Sequence, residues 1–158
     1  MNKAVFNNLI DLEYPDDFAK LSEEENQKHF SGDLMRLSFQ NKDKHVLLSL
    51  AKSKDAFMNR LVSVAAVAGN SLATLEESLK EYQFIEEYES EIFGLPAINE
   101  CFTYVASDIE VKQYGELSIF KYKKAFYMIY CICQYNDKDK YKKLFKEFKD
   151  SFKDIEYN

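Results

Sequence analysis

Apolar and polar positions recur along this chain with two periods, near 2 and near 3.6, and each change of period marks an element. Phe6, Ile10, Leu12 and Tyr14 share a period of two and predict a strand ended by Pro15. Ser22-Glu23-Glu24-Glu25 then reads as a capping box, because Ser22 and Glu25 can each satisfy the other's free backbone N–H. It predicts a short helix to about Phe30, stopping before Gly32. Met35, Leu37 and Phe39 alternate with Arg36, Ser38 and Gln40, and Val46, Leu48 and Leu50 return after a turn at 41–44. That is a hairpin.

The middle of the chain switches to helical spacing. Asp55 to Ala68 is apolar almost all round and predicts a buried helix or two short ones, with Gly69 as the stop. Asn70 or Ser71 would cap the next helix, in which Leu72, Leu75, Leu79 and Tyr82 form one stripe. Phe84 to Phe93 mixes aromatic residues with Glu86, Glu87, Glu89 and Glu91, a strand with one side in water. Gly94-Leu95-Pro96 turns the chain into a strand from Ala97 to about Ala106. A long hairpin follows, Val111–Tyr122 and Ala125–Tyr135 about a tight turn at Lys123-Lys124. In its second arm Phe126, Met128, Tyr130 and Ile132 point one way, and Tyr127, Ile129, Cys131 and Cys133 the other. Apolarity on both sides predicts a central strand with helices over each face. Lys138 to about Lys153 closes the chain as an amphipathic helix. Tyr141, Leu144, Phe145, Phe148 and Phe152 form its buried stripe, with lysines opposite.

The order of elements and a few short strings resemble a known group. They are Tyr-Pro-Asp-Asp-Phe (Tyr14 to Phe18), the acidic capped helix, the Gly-x-Pro-Ala turn (Gly94 to Ala97), three long antiparallel strands and a terminal helix closing on Ser151-Phe152. The chain resembles the PsbP-like fold, shared by photosystem lumenal proteins, the Ran-binding Mog family and bacterial DcrB-type proteins. The resemblance implies a central antiparallel sheet between helical layers. It also implies work by binding other proteins, some members being chaperone-like adaptors, without a shared active site. No functional residue is carried over from it. The expected fold is α+β, a mainly antiparallel sheet of six or seven strands with helices on both faces, in one domain spanning residues 1–158.

Composition narrows the chemistry. The chain has 158 residues, 46% of them hydrophobic and 30% charged, which excludes disordered and disulfide-scaffold classes. A net charge of −6, with Arg36 and Arg60 the only arginines, argues against a phosphate backbone as partner. Charge is unevenly spread. Seven acids lie between Asp11 and Glu25 and seven between Glu76 and Glu91, while eleven lysines face five acids from Lys112 to Lys153. That asymmetry can steer a partner, although such runs are more often simply solvated. No apolar run suits a membrane span or a signal peptide, in contrast to most bacterial members of the group. Three cysteines, an odd count, predict reduced thiols and a cytoplasmic address. Abundant Lys, Asn, Tyr, Phe and Glu point to a low-GC bacterium.

Candidate catalytic groups are few. His29 and His45 are the only histidines available as bases, and both fall at surface positions. Gly32, Gly69, Gly94 and Gly115 are isolated, so no phosphate-cradling loop is present. Cys131 and Cys133 share a strand face and Cys101 falls on another strand, but no histidine accompanies them, and core packing is the expected role. The carboxylate pairs Asp16/Asp17 and Glu86/Glu91 read as solvating. No catalytic, cofactor or metal residue is therefore assigned. Tyr88, Phe102, Tyr104, Tyr114 and Tyr122 are the candidate interaction face, since tyrosine offers a large contact area with a polar tip, against the alternative that they line the core. The expected function is a non-catalytic protein-interaction module, an adaptor or chaperone with another protein as partner. One alternative is a small-ligand or enzymatic domain with a pocket between the sheet and the Asp55–Tyr82 helices. Another is a homodimer paired through Phe84–Phe93, which the four glutamates there disfavour.

Overall fold

The computed structural model describes residues 1–30, 32 and 34–155. Its framework is a seven-stranded antiparallel sheet in the order β3-β4-β5-β9-β8-β7-β6. The strands are β3 Ala19–Lys20, β4 Met35–Asn41, β5 Val46–Lys52, β6 Gln83–Ile92, β7 Leu95–Val105, β8 Lys112–Tyr122 and β9 Ala125–Gln134. A three-stranded sheet, β1 Asn2–Phe6, β2 Ile10–Tyr14 and β10 Lys153–Asp154, packs beside it. The helices are α1 Glu23–His29, α2 Val64–Ser78 and α3 Lys138–Asp150. The architecture is α+β, as the pattern predicted.

Strand β9 holds the fourth of seven places in the large sheet. Tyr127, Ile129, Cys131 and Cys133 are all buried under α3 and the small sheet, together with Phe145, Phe148 and Phe152. On the other side only Phe126 is buried, while Met128, Tyr130 and Ile132 stay partly open, because α2 covers the β7–β8 half of that face. The strand is central, with one flank sealed and the other half covered.

Two expectations change. The stretch from Phe6 to Tyr14 is not one strand but a hairpin that reverses at Asn7 and Asn8, both at positive φ, with Phe6 opposite Ile10. Asparagine tolerates the left-handed region, so consecutive asparagines formed a turn signal that the apolar alternation masked. The segment after Asp55 is neither buried nor interrupted at Gly69. A 3₁₀ turn over Phe57–Leu61 stands in solvent, and α2 starts at Val64 with Ser63 as its cap and runs through Gly69. A glycine within a helix costs about 1 kcal/mol, less than stopping a helix whose Val64, Val67, Ala68, Leu75 and Leu79 reach the sheet. The capping box on α1 forms as read, Ser22 Oγ accepting from Glu25 N at 3.2 Å and Glu25 Oε1 from Ser22 N at 3.1 Å.

Candidate functional site

Opposite the two-residue border strand β3, the long exposed border of the large sheet is β6. Among the described residues it pairs with β7 alone, leaving its outer backbone edge open over ten residues. Gln83 through Glu89 are all exposed, including Phe84, Ile85 and Tyr88. The register slips between Phe84 and Glu86, a bulge that leaves Ile85 out of the ladder. Glu86 and Tyr88 lie on the α3 side, while Phe84, Glu87, Glu89 and Glu91 lie on the α2 side. Asn99 of β7 fastens the strand from below, its Nδ2 donating to the Tyr88 carbonyl at 3.3 Å and to Ser90 Oγ at 2.8 Å. An edge of this length presents unpaired backbone N–H and C=O groups, and its glutamates make it acidic.

Beneath β6, on the α3 side, lies a buried polar network. Lys149 Nζ meets Glu116 Oε1 at 2.9 Å with both side chains nearly free of solvent. Tyr114 donates to Glu116 Oε2 at 2.8 Å, and Lys149 also reaches the Tyr88 hydroxyl and Ser118 Oγ at 3.4 Å. Ser118 in turn donates to Asn99 Oδ1. Burial alone would lower the Lys149 ammonium, but the charge of the paired Glu116 carboxylate and its hydrogen bond outweigh it and hold it above its ordinary value. Burial pushes the Cys101 thiol up to about 11 and the Cys133 thiol up to about 12. Both are protonated packing groups, and all three cysteines lie unpaired in the core. A cleft of about 490 Å³ opens above the network between α3 and the strands, with Glu86, Lys142 and Lys146 at its mouth. This cavity is on the face opposite the one expected from the sequence.

The α2 face carries the opposite case. Glu100 is fully buried, directly across from Glu87, and neither of its carboxylate oxygens has a hydrogen-bond partner among the described residues. Desolvation, reinforced by Glu87, raises its carboxyl to about 7. The Tyr82 hydroxyl on the same face is also buried, with no hydrogen-bond partner among the described residues.

The candidate tyrosines and phenylalanine are distributed over both faces. Tyr88 and Tyr114 line the α3-side cleft. Phe102 is buried against α2, its ring over Gly115 of the facing strand. Tyr104 lines a separate cleft of about 250 Å³ that also holds His29, His45 and Asp108. Tyr122 donates to Asp154 at 2.6 Å near the β8–β9 turn. Only Tyr88 of the set is exposed on β6. Sequence reading missed two features. Lys149 stands four residues after Phe145 and eight after Tyr141, on the buried stripe itself, and this spacing was the available signal. The meeting of the two histidines at one cleft had no sequence signal, since α1 and the β4–β5 turn approach only in the fold.

No protein-family model and no curated protein sequence matches the chain. Solved structures do. The PsbP protein of the cyanobacterium Synechocystis (CyanoP) superposes with a TM-score of 0.70 at 13% identity, over 96% of this chain and 90% of that one. A protein of unknown function from Pseudomonas aeruginosa, PA94, gives 0.59 at 14% identity, over 96% and 94%. LpqN of Mycobacterium tuberculosis, involved in cell envelope biogenesis, gives 0.55 at 13% identity, over 92% and 82%. At such identities the likeness concerns the fold, and the fold of this chain is PsbP-like.

Proposed function

We propose that this chain is a non-catalytic protein-interaction module, acting in the cytoplasm as an adaptor or chaperone-like protein. It takes up an extended, basic segment of another protein as an added strand along β6. The observation that carries the reading is the open edge of β6 with Glu86, Glu87, Glu89 and Glu91 beside exposed Phe84, Ile85 and Tyr88. Backbone hydrogen bonds would supply affinity, and alternating lysines or arginines on the partner would meet the glutamates. A second copy of β6 suits the edge poorly, because it would bring like charges into register. The three unpaired thiols favour the reducing address.

Pull-down from native lysate in mild salt tests the proposal, comparing the natural chain with Glu87→Lys/Glu89→Lys. The expected result is a protein partner retained by the natural chain, released by salt and lost with the charge reversal. Equal recovery by both chains would overturn it. A second reading, a small-ligand domain, is favoured by the cleft of about 490 Å³ under α3. Saturable binding of a metabolite, with no protein recovered, would select that one.

A further inference from the structure

The 3₁₀ turn after β5 presents large apolar side chains to water: Phe57 is 67% exposed, Met58 62% and Leu61 74%. A folded domain seldom displays three such groups within five residues unless they meet something. The turn is also firmly held. Ala56 N donates to the Lys124 carbonyl at 3.2 Å, and Asn59 Nδ2 donates to the same carbonyl at 2.7 Å. Lys121 Nζ donates to the Val62 carbonyl at 2.8 Å. The apolar tip is therefore tied to the β8–β9 turn, whose residues Lys123 and Lys124 are both exposed.

A cationic rim surrounds it in a chain of net charge −6. Lys54 and Arg60 come from the segment itself, and Lys121, Lys123 and Lys124 from the neighbouring hairpin. Among the described residues Asp55 and Asp154 accompany them, and both are engaged, Asp55 by Lys52 at 2.9 Å and Asp154 by the Tyr122 hydroxyl at 2.6 Å.

We infer that this tip docks on the surface of a bilayer containing anionic lipid, with Phe57, Met58 and Leu61 entering the headgroup–acyl boundary and the lysines holding the phosphates. Two features favour a bilayer over an acidic protein. The apolar groups project from a turn, whereas a protein partner would need a pocket for each. The rim is mostly lysine, a point charge suited to a diffuse anionic surface, whereas fixed carboxylates are better read by arginine forks. No described helix is long and apolar enough to cross a membrane, so the docking is peripheral. The inference is independent of the β6 reading, since it uses a different surface.

Co-sedimentation of the full chain with vesicles tests it, comparing phosphatidylcholine alone with phosphatidylcholine containing one third phosphatidylglycerol. Binding is expected only with the anionic vesicles and should fall as salt rises. Lys123→Glu/Lys124→Glu should weaken it by at least roughly 25-fold, about fivefold for each lysine removed. The chain has no tryptophan, so Phe57→Trp supplies a single reporter, and its emission should shift to the blue on the anionic vesicles. Absence of sedimentation, equal binding to both vesicle types, or an unshifted emission would each overturn the inference, whether or not the tip then captures an acidic protein.

Discussion

The two faces of the large sheet bury carboxylates under opposite conditions. On the α3 side Glu116 has an ammonium and a phenol within hydrogen-bonding distance. On the α2 side Glu100, one strand away, has neither. The difference follows from what covers each face. Helix α3 is strongly amphipathic, and its stripe delivers Lys149 into the interior together with Phe145 and Phe148. Helix α2 is small-residued and apolar, and brings no cation to the sheet. The sealed face is thus built for cohesion, and the half-covered face keeps an unsatisfied charge whose state follows pH. The two surfaces proposed for binding lie at the borders: the acidic edge of β6 and the basic, apolar tip beside the β8–β9 turn.

Breaking the ion pair should have the largest effect. Lys149→Met strands a buried Glu116 carboxylate and should cost about 3–5 kcal/mol in a denaturant melt. Adding Glu116→Gln to the same chain should return much of that loss, since the stranded charge is then gone. A loss that persists in the double variant would mean that packing of Lys149, and not its charge, holds the sealed face.

The half-covered face predicts the reverse sign. Folding raises the Glu100 carboxyl from 4.5 to about 7, so the folded chain binds that proton more tightly than the unfolded one. The penalty is absent below pH 4.5, grows as pH rises to 7 and is complete above it, at roughly 3 kcal/mol taking about 1.4 kcal/mol per unit. Glu100→Gln should stabilise the protein by about that amount at pH 8 and flatten the decline between pH 4.5 and 7. Stability curves that coincide for the two chains would contradict the orphaned carboxylate.

A steric test sharpens the same contrast. A Cβ on Gly115 would sit 2.6 Å from the Phe102 ring, which is itself buried against α2. Gly115→Ala should therefore cost about 1–3 kcal/mol by overpacking, even though alanine suits a strand better than glycine. The smallest effect belongs at the periphery. Ser22→Ala removes one arm of the α1 capping box and should cost about 1 kcal/mol or less, as α1 buries no residue.

Period-two alternation made the arms of the long hairpins legible, along with the face to which each β9 side chain points, because burial there repeats over ten residues. The Phe6–Tyr14 hairpin was hidden because apolar residues on either side of a three-residue turn keep the same parity as one continuous strand. The exposure of Phe57–Leu61 was hidden for another reason: hydrophobicity reports what a side chain prefers, and a docking tip is where that preference goes unmet within the monomer. The candidate tyrosines were chosen by residue type, and type does not say which face of a strand a residue occupies. Tyr114 on the α3 side and Tyr104 on the α2 side therefore looked alike. Glu86 to Glu91 were visible as a charge run, but only the strand order shows that they border the sheet.

Hydrogen exchange of the chain, alone and with its captured partner, measures the role of that border directly. The account predicts that amides of Gln83–Ile92 gain protection in the complex and lose the gain in Glu87→Lys/Glu89→Lys. Unchanged exchange along β6, with protection appearing only around the cleft beneath α3, would contradict it.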